Sequence, residues 1–185
     1  ILNNTGEYEG AIAVAEKALP TFIKINDTSG IINTYSSIGI SYSYTLKYKT
    51  ALDYFFKGLN LAETYLDHQL LVLMLNDVAY IYNVQQEYDK ALPLLLRTMS
   101  MRGNLPNELP IVMGYINLST IYYNLGSNDK SLAYLDTAFT VAEKWKLNHI
   151  KQAVFQRRGV VYQKMGNSDD AIQNLIKAYD MQDKM

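Results

Sequence analysis

Cysteine is absent from this 185-residue chain, so disulfide staples, thiolate metal sites and cysteine nucleophiles are excluded together. Histidine occurs only as His68 and His149, which fall near separate inter-helix connections without a partner motif. Two isolated imidazoles of this kind read as water-facing loop residues, not as a catalytic or metal pair. An excess of one charge is missing too: 17 basic residues face 18 acidic ones, leaving no overall field to draw the chain onto nucleic acid or an anionic membrane. No apolar run reaches the roughly 20 residues needed to span a bilayer. The first residues also lack the basic, apolar, then small pattern of a signal peptide. Strand patterns are missing, and with them any Gly-rich phosphate loop following a strand. The expectation is a soluble segment, compatible with cytoplasm or periplasm, with no cofactor, no metal and no catalytic residues.

What is present is apolar mass, 49% of residues, distributed with a strict period. The segments beginning at Gly6, Lys47, Glu87, Ser127 and Asn167 superimpose without gaps. A small residue recurs at Ala11, Ala51, Ala91, Ser131 and Ala171, followed by Ile12, Leu52, Leu92, Leu132 and Ile172. Four residues after the small one stand Ala15, Phe55, Leu95, Leu135 and Leu175, and three further on Ala18, Gly58, Thr98, Ala138 and Ala178. Steps of four and three mark one face of a helix, and successive copies are 40 residues apart.

A second helical pattern precedes each of the last four segments. Tyr42, Tyr82, Tyr122 and Tyr162 repeat at the same 40-residue interval. Three residues before each tyrosine is a small residue, Gly39, Ala79, Ser119 or Gly159, and four before that a bulky one, Tyr35, Leu75, Tyr115 or Phe155. Small residues let paired helices approach, while large ones at fixed offsets fill the space between one hairpin and the next.

These residues resemble the tetratricopeptide repeat family, whose pattern places an aromatic, a Leu-Gly pair and a Tyr on a first helix, then Ala, Phe, Ala and Pro on a second. The best copy runs Tyr35, Ile38, Gly39, Tyr42, Ala51, Phe55, Gly58. Arg158 departs from the pattern, standing where an aliphatic residue is usual, and the terminal proline of each unit is missing. The resemblance implies an all-α fold, a right-handed α-solenoid or superhelix of antiparallel hairpins. It divides a single array over 1–185 into a partial repeat 1–30 and repeats 31–70, 71–110, 111–150 and 151–185. The period exceeds the usual 34 by six residues, which would add roughly 9 Å of helix if all were helical, with part of the excess assignable to connections. This longer form is similar to repeats of bacterial signalling proteins. The register aligns Leu2 with the repeating tyrosine, so the reading expects a fragment cut within a first helix, with Met181 to Met185 completing the last one.

Turns are expected at Thr45 to Lys49, Gln85 to Asp89, Gly126 to Asp129 and Gly166 to Asp169, with Gly126 and Gly166 suited to left-handed caps and Asp129 and Asp169 near the next N-terminus. Connections between hairpins are expected at Asn26 to Gly30, Leu66 to Gln69, Gly103 to Pro110 and Lys146 to His149. The third, GNLPNELP, is the best candidate for an irregular loop. Pro93 falls near a helix start, where a missing N–H is tolerated, whereas Pro20 should end or kink its helix.

Among candidate site residues, Asp53, Glu63, Asp89, Asp129, Asp136, Asp169 and Asp170 read as solvation and capping. Tyr42, Tyr82, Tyr122, Tyr162, Tyr8, Tyr48 and Tyr88 read as packing rather than base-stacking. Lys144, Lys146, Lys151, Arg157, Arg158 and Lys164 cluster with Glu143 opposing them, as a solvated face or as a contact for an acidic peptide group. The resemblance implies that first helices line a concave groove. The inward positions it designates are Asn76, Tyr80 and Asn83, then Asn117, Thr120 and Asn124, then Gln156, Arg157 and Lys164, with Ser36, Ile40, Ser43, Asp77, Ile116, Val160 and Gln163 beside them. Amides carry both a donor and an acceptor and can pair with the backbone of an extended peptide, and Arg157 or Lys164 could fix a carboxylate at one end. The function implied is a non-catalytic protein- or peptide-binding module, the sensing or scaffolding region of a larger signalling protein. The alternative is a structural spacer that self-associates through exposed array ends.

Overall fold

The computed structural model describes residues 5–105 and 109–182. They form two compact units, divided between Leu105 and Pro106. The N-terminal unit holds helices α1 (Thr5–Lys24), α2 (Thr28–Tyr44), α3 (Tyr48–Thr64), α4 (His68–Val84) and α5 (Tyr88–Ser100), then a 3-10 turn, Arg102–Asn104. The C-terminal unit holds α6 (Leu109–Asn124), α7 (Asn128–Lys144), α8 (Asn148–Lys164) and α9 (Ser168–Gln182). All described elements are helical, and within each unit consecutive helices pack as antiparallel neighbours, the α-solenoid class.

The 40-residue repeat resolves into two equal 20-residue modules. Helices α2, α3, α4, α7 and α8 each have 17 residues, about 25 Å long at the standard rise, and the links following them are three residues long. Each described link contains one residue of positive φ, at Asn26, Leu46, Leu66, Gln86, Gly126, Lys146 and Gly166. The backbone bonds around each are those of a Schellman cap: Leu46 N–H donates to Ser43 O at 3.0 Å and Lys47 N–H to Tyr42 O at 2.9 Å, and the same pair recurs at every site. Helices within a hairpin and helices of successive hairpins are therefore joined by the same three-residue turn. Side chains close the next helix at Asp27, which accepts from Gly30 N–H, and at Asp67, which accepts from Gln69 and Leu70 N–H. At the last helix Asn167, not Asp169, accepts from the Asp170 N–H.

Position 106, where the 20-residue series falls next in sequence, is a proline. Helix α5 is shorter than the other described α-helices, at 13 residues. Of the segment GNLPNELP, Leu109 and Pro110 already belong to α6, while 106–108 lie outside the described residues. The expectations for Leu2 and for Asp183 to Met185 do too, at 1–4 and 183–185.

Pro20 does not end its helix, since α1 runs through it to Lys24. Its ring is exposed, and the carbonyl it deprives of a partner, on exposed Glu16, lies where water can substitute. Pro93 stands at the sixth residue of α5, past the first turn, and is exposed in the same way.

The core follows the repeated positions. In the N-terminal unit Ala51, Phe55, Val78 and Ile81 are buried together, with Tyr42, Tyr48, Leu52, Tyr82 and Leu94 packed around them. A Cβ at Gly39 would overlap the Phe55 ring, which is the physical requirement for glycine there. In the C-terminal unit Leu118, Ile121, Leu135, Ala138 and Val154 are fully buried. Tyrosines cement both units in the same way: Tyr54 lies between Tyr35 and Tyr42, at centroid separations of 6.0 and 5.8 Å, and Tyr134 between Tyr115 and Tyr122, at 6.4 and 5.4 Å.

Candidate functional site

Helices α2 and α4 carry the designated positions of the N-terminal unit. Asn76 and Asn83 are buried, 5% and 6% exposed, whereas Tyr80 is 46% exposed. The Asn83 Oδ1 finds no hydrogen-bond donor among the described residues. Between the two helices the Ser36 hydroxyl donates to Asp77 Oδ2 at 2.9 Å. Burial pushes the Asp77 carboxyl up to about 7, the Ser36 hydrogen bond opposing the shift. This face therefore offers an aromatic ring and a carboxyl poised near neutrality, with the amides largely beneath the surface.

In the C-terminal unit the corresponding face lies between α6 and α8. Asn117 is buried at 7%; Thr120 is half-buried, and Asn124, Gln156, Arg157 and Lys164 are exposed. One Arg157 guanidinium nitrogen donates to Thr120 Oγ1 at 2.7 Å. The Lys164 ammonium donates to the Tyr123 carbonyl at 2.7 Å and lies over the Tyr123 ring, 4.2 Å from its centroid. Two cations from α8 thus reach onto α6 one above the other. Beside them is a cavity of about 160 Å³, lined by Thr120, Tyr123, Asn124, Arg157 and Val160 above Ser119 and Ser131, room for roughly five waters. Its floor is closed by the Ser119 and Ser131 hydroxyls, 2.8 Å apart.

The basic cluster divides between two faces of α8. Arg157 and Lys164 turn to α6. Lys151 pairs with Glu143 at 3.3 Å, and Arg158 with Asp136 at 2.5 Å, so Asp136 joins Glu143 in opposing the cluster. The Arg158 guanidinium also lies 5.0 and 5.8 Å from the Phe139 and Phe155 rings, which explains a cation at an aliphatic position: its plane packs as an apolar group would.

The structure adds Tyr123, which sequence reasoning misses although it shares the 40-residue register of Ser43, Asn83 and Gln163. It also gives Ser131, a small packing residue by its pattern, a place in the cavity floor. His68 and His149 are exposed in the first turns of α4 and α8. Among the described residues no cluster of metal-ligating side chains occurs, and no helix is long and apolar enough to cross a membrane.

Comparison with known proteins bears on the fold and the family. Residues 114–144 and 146–184 match the tetratricopeptide repeat model. No curated protein sequence matches the chain. Among solved structures, BtubC from P. vanneervenii is 17% identical, with a TM-score of 0.76 over 97% of this chain and 75% of that one. The apo form of RapI is 19% identical, with a TM-score of 0.74 over 99% of this chain and 49% of RapI, so the chain spans about half of RapI's length. The Podosopora anserina kinesin light chain with nearly identical TPR-like repeats is 16% identical, with a TM-score of 0.66 over 97% of this chain and 89% of that one. At these identities the likeness is one of fold. The matched segments mark 114–144 and 146–184 as tetratricopeptide-type repeats, and the solved structures share the α-solenoid fold over nearly the whole chain.

Proposed function

We propose that the chain is a non-catalytic interaction module that takes an extended protein segment against the α6–α8 face, as the sensing or scaffolding part of a signalling protein. Tetratricopeptide repeats imply protein interaction in general. The signalling role draws on the similarity of 40-residue repeats to those of bacterial signalling proteins. The observation that carries the binding reading is the exposed pair of cations, Arg157 held on Thr120 and Lys164 held on Tyr123, beside a small cavity. Such a pair favours an acidic group on the ligand, with the cavity taking a neighbouring side chain. Asn124 and Gln156 are exposed for backbone contacts; Asn117 supports the face from beneath. On the N-terminal unit Tyr80 is the corresponding contact, with Asn76 and Asn83 in the supporting role.

The test is fluorescence polarisation with a library of acidic and neutral extended peptides. Acidic peptides should bind more tightly, with affinity falling as salt rises. The double variant Arg157→Ala, Lys164→Ala should lose at least tenfold. Equal binding of acidic and neutral peptides, or unchanged affinity in the double variant, would refute the assignment.

A further inference from the structure

The face between α2 and α4 carries a charge selectivity opposite to that of the α6–α8 face. Both helices are interior members of their unit: α1 and α3 pack against α2, and α3 and α5 against α4. Repeats stack along the series, so further helices would add to its ends and not to this lateral face. Helix α2 contains no Asp, Glu, Lys or Arg, and α4 contains only Asp77, with His68 in its first turn. Helical steps of three and four lead from Asp77 to Tyr80 and Val84, and a step of four leads from Ser36 to Ile40. Ile40, Tyr80 and Val84 are 39%, 46% and 40% exposed. The half-buried Asp77 thus lies on the seam between the two helices, held by the Ser36 hydroxyl and rimmed by apolar side chains.

Nothing within the unit neutralises this carboxyl. Among the described residues it accepts from Ser36, and no cation pairs with it. The titratable groups of the helices packed around it are engaged or directed elsewhere. On α2, Tyr35 and Tyr42 lie against Tyr54, and Tyr44 stacks on Tyr8. On α3, Tyr48 packs on the core, Lys57 lies over Tyr54, Glu63 pairs with Arg97 of α5, and Lys49 and Asp53 are exposed. On α5, Lys90 pairs with Glu87 and lies over Tyr82 of α4, Tyr88 is half-buried and Asp89 is exposed.

A carboxyl without a counter-ion on an otherwise uncharged face complements one ligand class, a cation that brings its own apolar stem. An acidic group would be repelled once Asp77 ionised. A purely apolar group would cover the carboxyl without donating to it, at the cost of its lost hydration. A basic side chain meets both needs, since its head donates to Asp77 while its methylenes lie on Ile40 and Val84 beside the Tyr80 ring.

We propose that the α2–α4 face binds a Lys or Arg side chain of a partner protein segment, with the cation on Asp77 and the stem among Ile40, Tyr80 and Val84. Pairing requires the carboxylate, whereas in the unbound protein burial holds the proton up to about 7. Below that pH, binding expels the proton, so affinity rises with pH and levels off once Asp77 is already ionised.

The probes are extended synthetic peptides, blocked at both ends, with Lys, Arg, Gln or Glu at the centre of an otherwise uncharged sequence of apolar residues and serines. Each is titrated against the whole chain by fluorescence polarisation. The Lys and Arg peptides should bind at least tenfold more tightly than the Gln peptide at pH 8 and lose about tenfold by pH 5. Calorimetry at pH 6 in buffers of different ionisation enthalpy should show release of about one proton per peptide bound. Asp77→Asn should remove the preference for Lys over Gln, the pH dependence and the proton release together, with circular dichroism checking that helicity is retained. Equal binding of the Lys and Gln peptides, affinity flat or falling with pH, an unaltered preference in Asp77→Asn, or no binding by any peptide would overturn the proposal. The double variant Arg157→Ala, Lys164→Ala should bind the Lys peptide unchanged, so failure of this assignment and failure of the α6–α8 reading are separate results.

Discussion

At the scale of single residues, backbone conformation and burial set terms that composition alone does not display. Leu46 and Leu66 hold φ at 59° and 54° with side chains 70% and 73% exposed, so neither leucine gains burial to offset a left-handed backbone. Leu46→Gly and Leu66→Gly should each raise stability by roughly 0.5–1 kcal/mol, seen as a higher urea midpoint, whereas Gly126→Ala should lower it by about 1 kcal/mol. Asp77 gives a pH prediction of definite sign. Its folded pKa of about 7 lies above the ordinary value of 3.8, so between these limits the folded state holds the proton more tightly, and stability falls as pH rises from about 4 to 7. Asp77→Asn should flatten that slope and, at pH 8, stabilise the fold by on the order of 1–3 kcal/mol, measured as urea midpoints at pH 5 and pH 8. The sequence marks Asp77 only as an inward position; its titration comes from desolvation between α2 and α4, and its partner Ser36 stands 41 residues away.

Among elements, the unit of construction is a 17-residue helix and a three-residue Schellman turn. The 40-residue repeat is legible because buried positions are chemically uniform, with Ala, Ser or Gly where helices cross and Tyr, Phe or Leu where they interlock. The 20-residue module is not, because the left-handed position holds Asn, Leu, Leu, Gln, Gly, Lys and Gly in turn. What these residues share is a torsion angle imposed by the cap. Only the two glycines announce it in sequence. The cost of disturbing the interlocking faces should be large. Phe55 is 1% exposed and fills the space left by Gly39, so Phe55→Ala should cost about 3–5 kcal/mol, detectable as a fall in thermal midpoint. The tyrosine sandwiches at Tyr54 and Tyr134 are also encoded, at an interval of two repeats, but only contact distances reveal that these two lie between their neighbours.

For the whole molecule, stability is a sum of helix and neighbour terms, so helices with one open face should open first. Native-state hydrogen exchange should find α3 and α4 slower than α1 in the N-terminal unit, and α7 and α8 slower than α9 in the C-terminal unit. In α9 Ile172, Ile176 and Tyr179 are 56%, 54% and 65% exposed; slow exchange throughout α9 would contradict this. By itself the sequence determined the helical class, the repeat and the residues that interlock, because these follow from the spacing of apolar side chains along a helix. Only the tertiary structure decided which amides are buried and which cations reach across to a neighbouring helix. It also decided that Arg157 and Arg158, adjacent in the chain, reach different neighbouring helices, α6 and α7. The reason is geometric: a side chain's register fixes the direction in which it leaves its own helix, but its exposure and its partner depend on how closely the next helix packs.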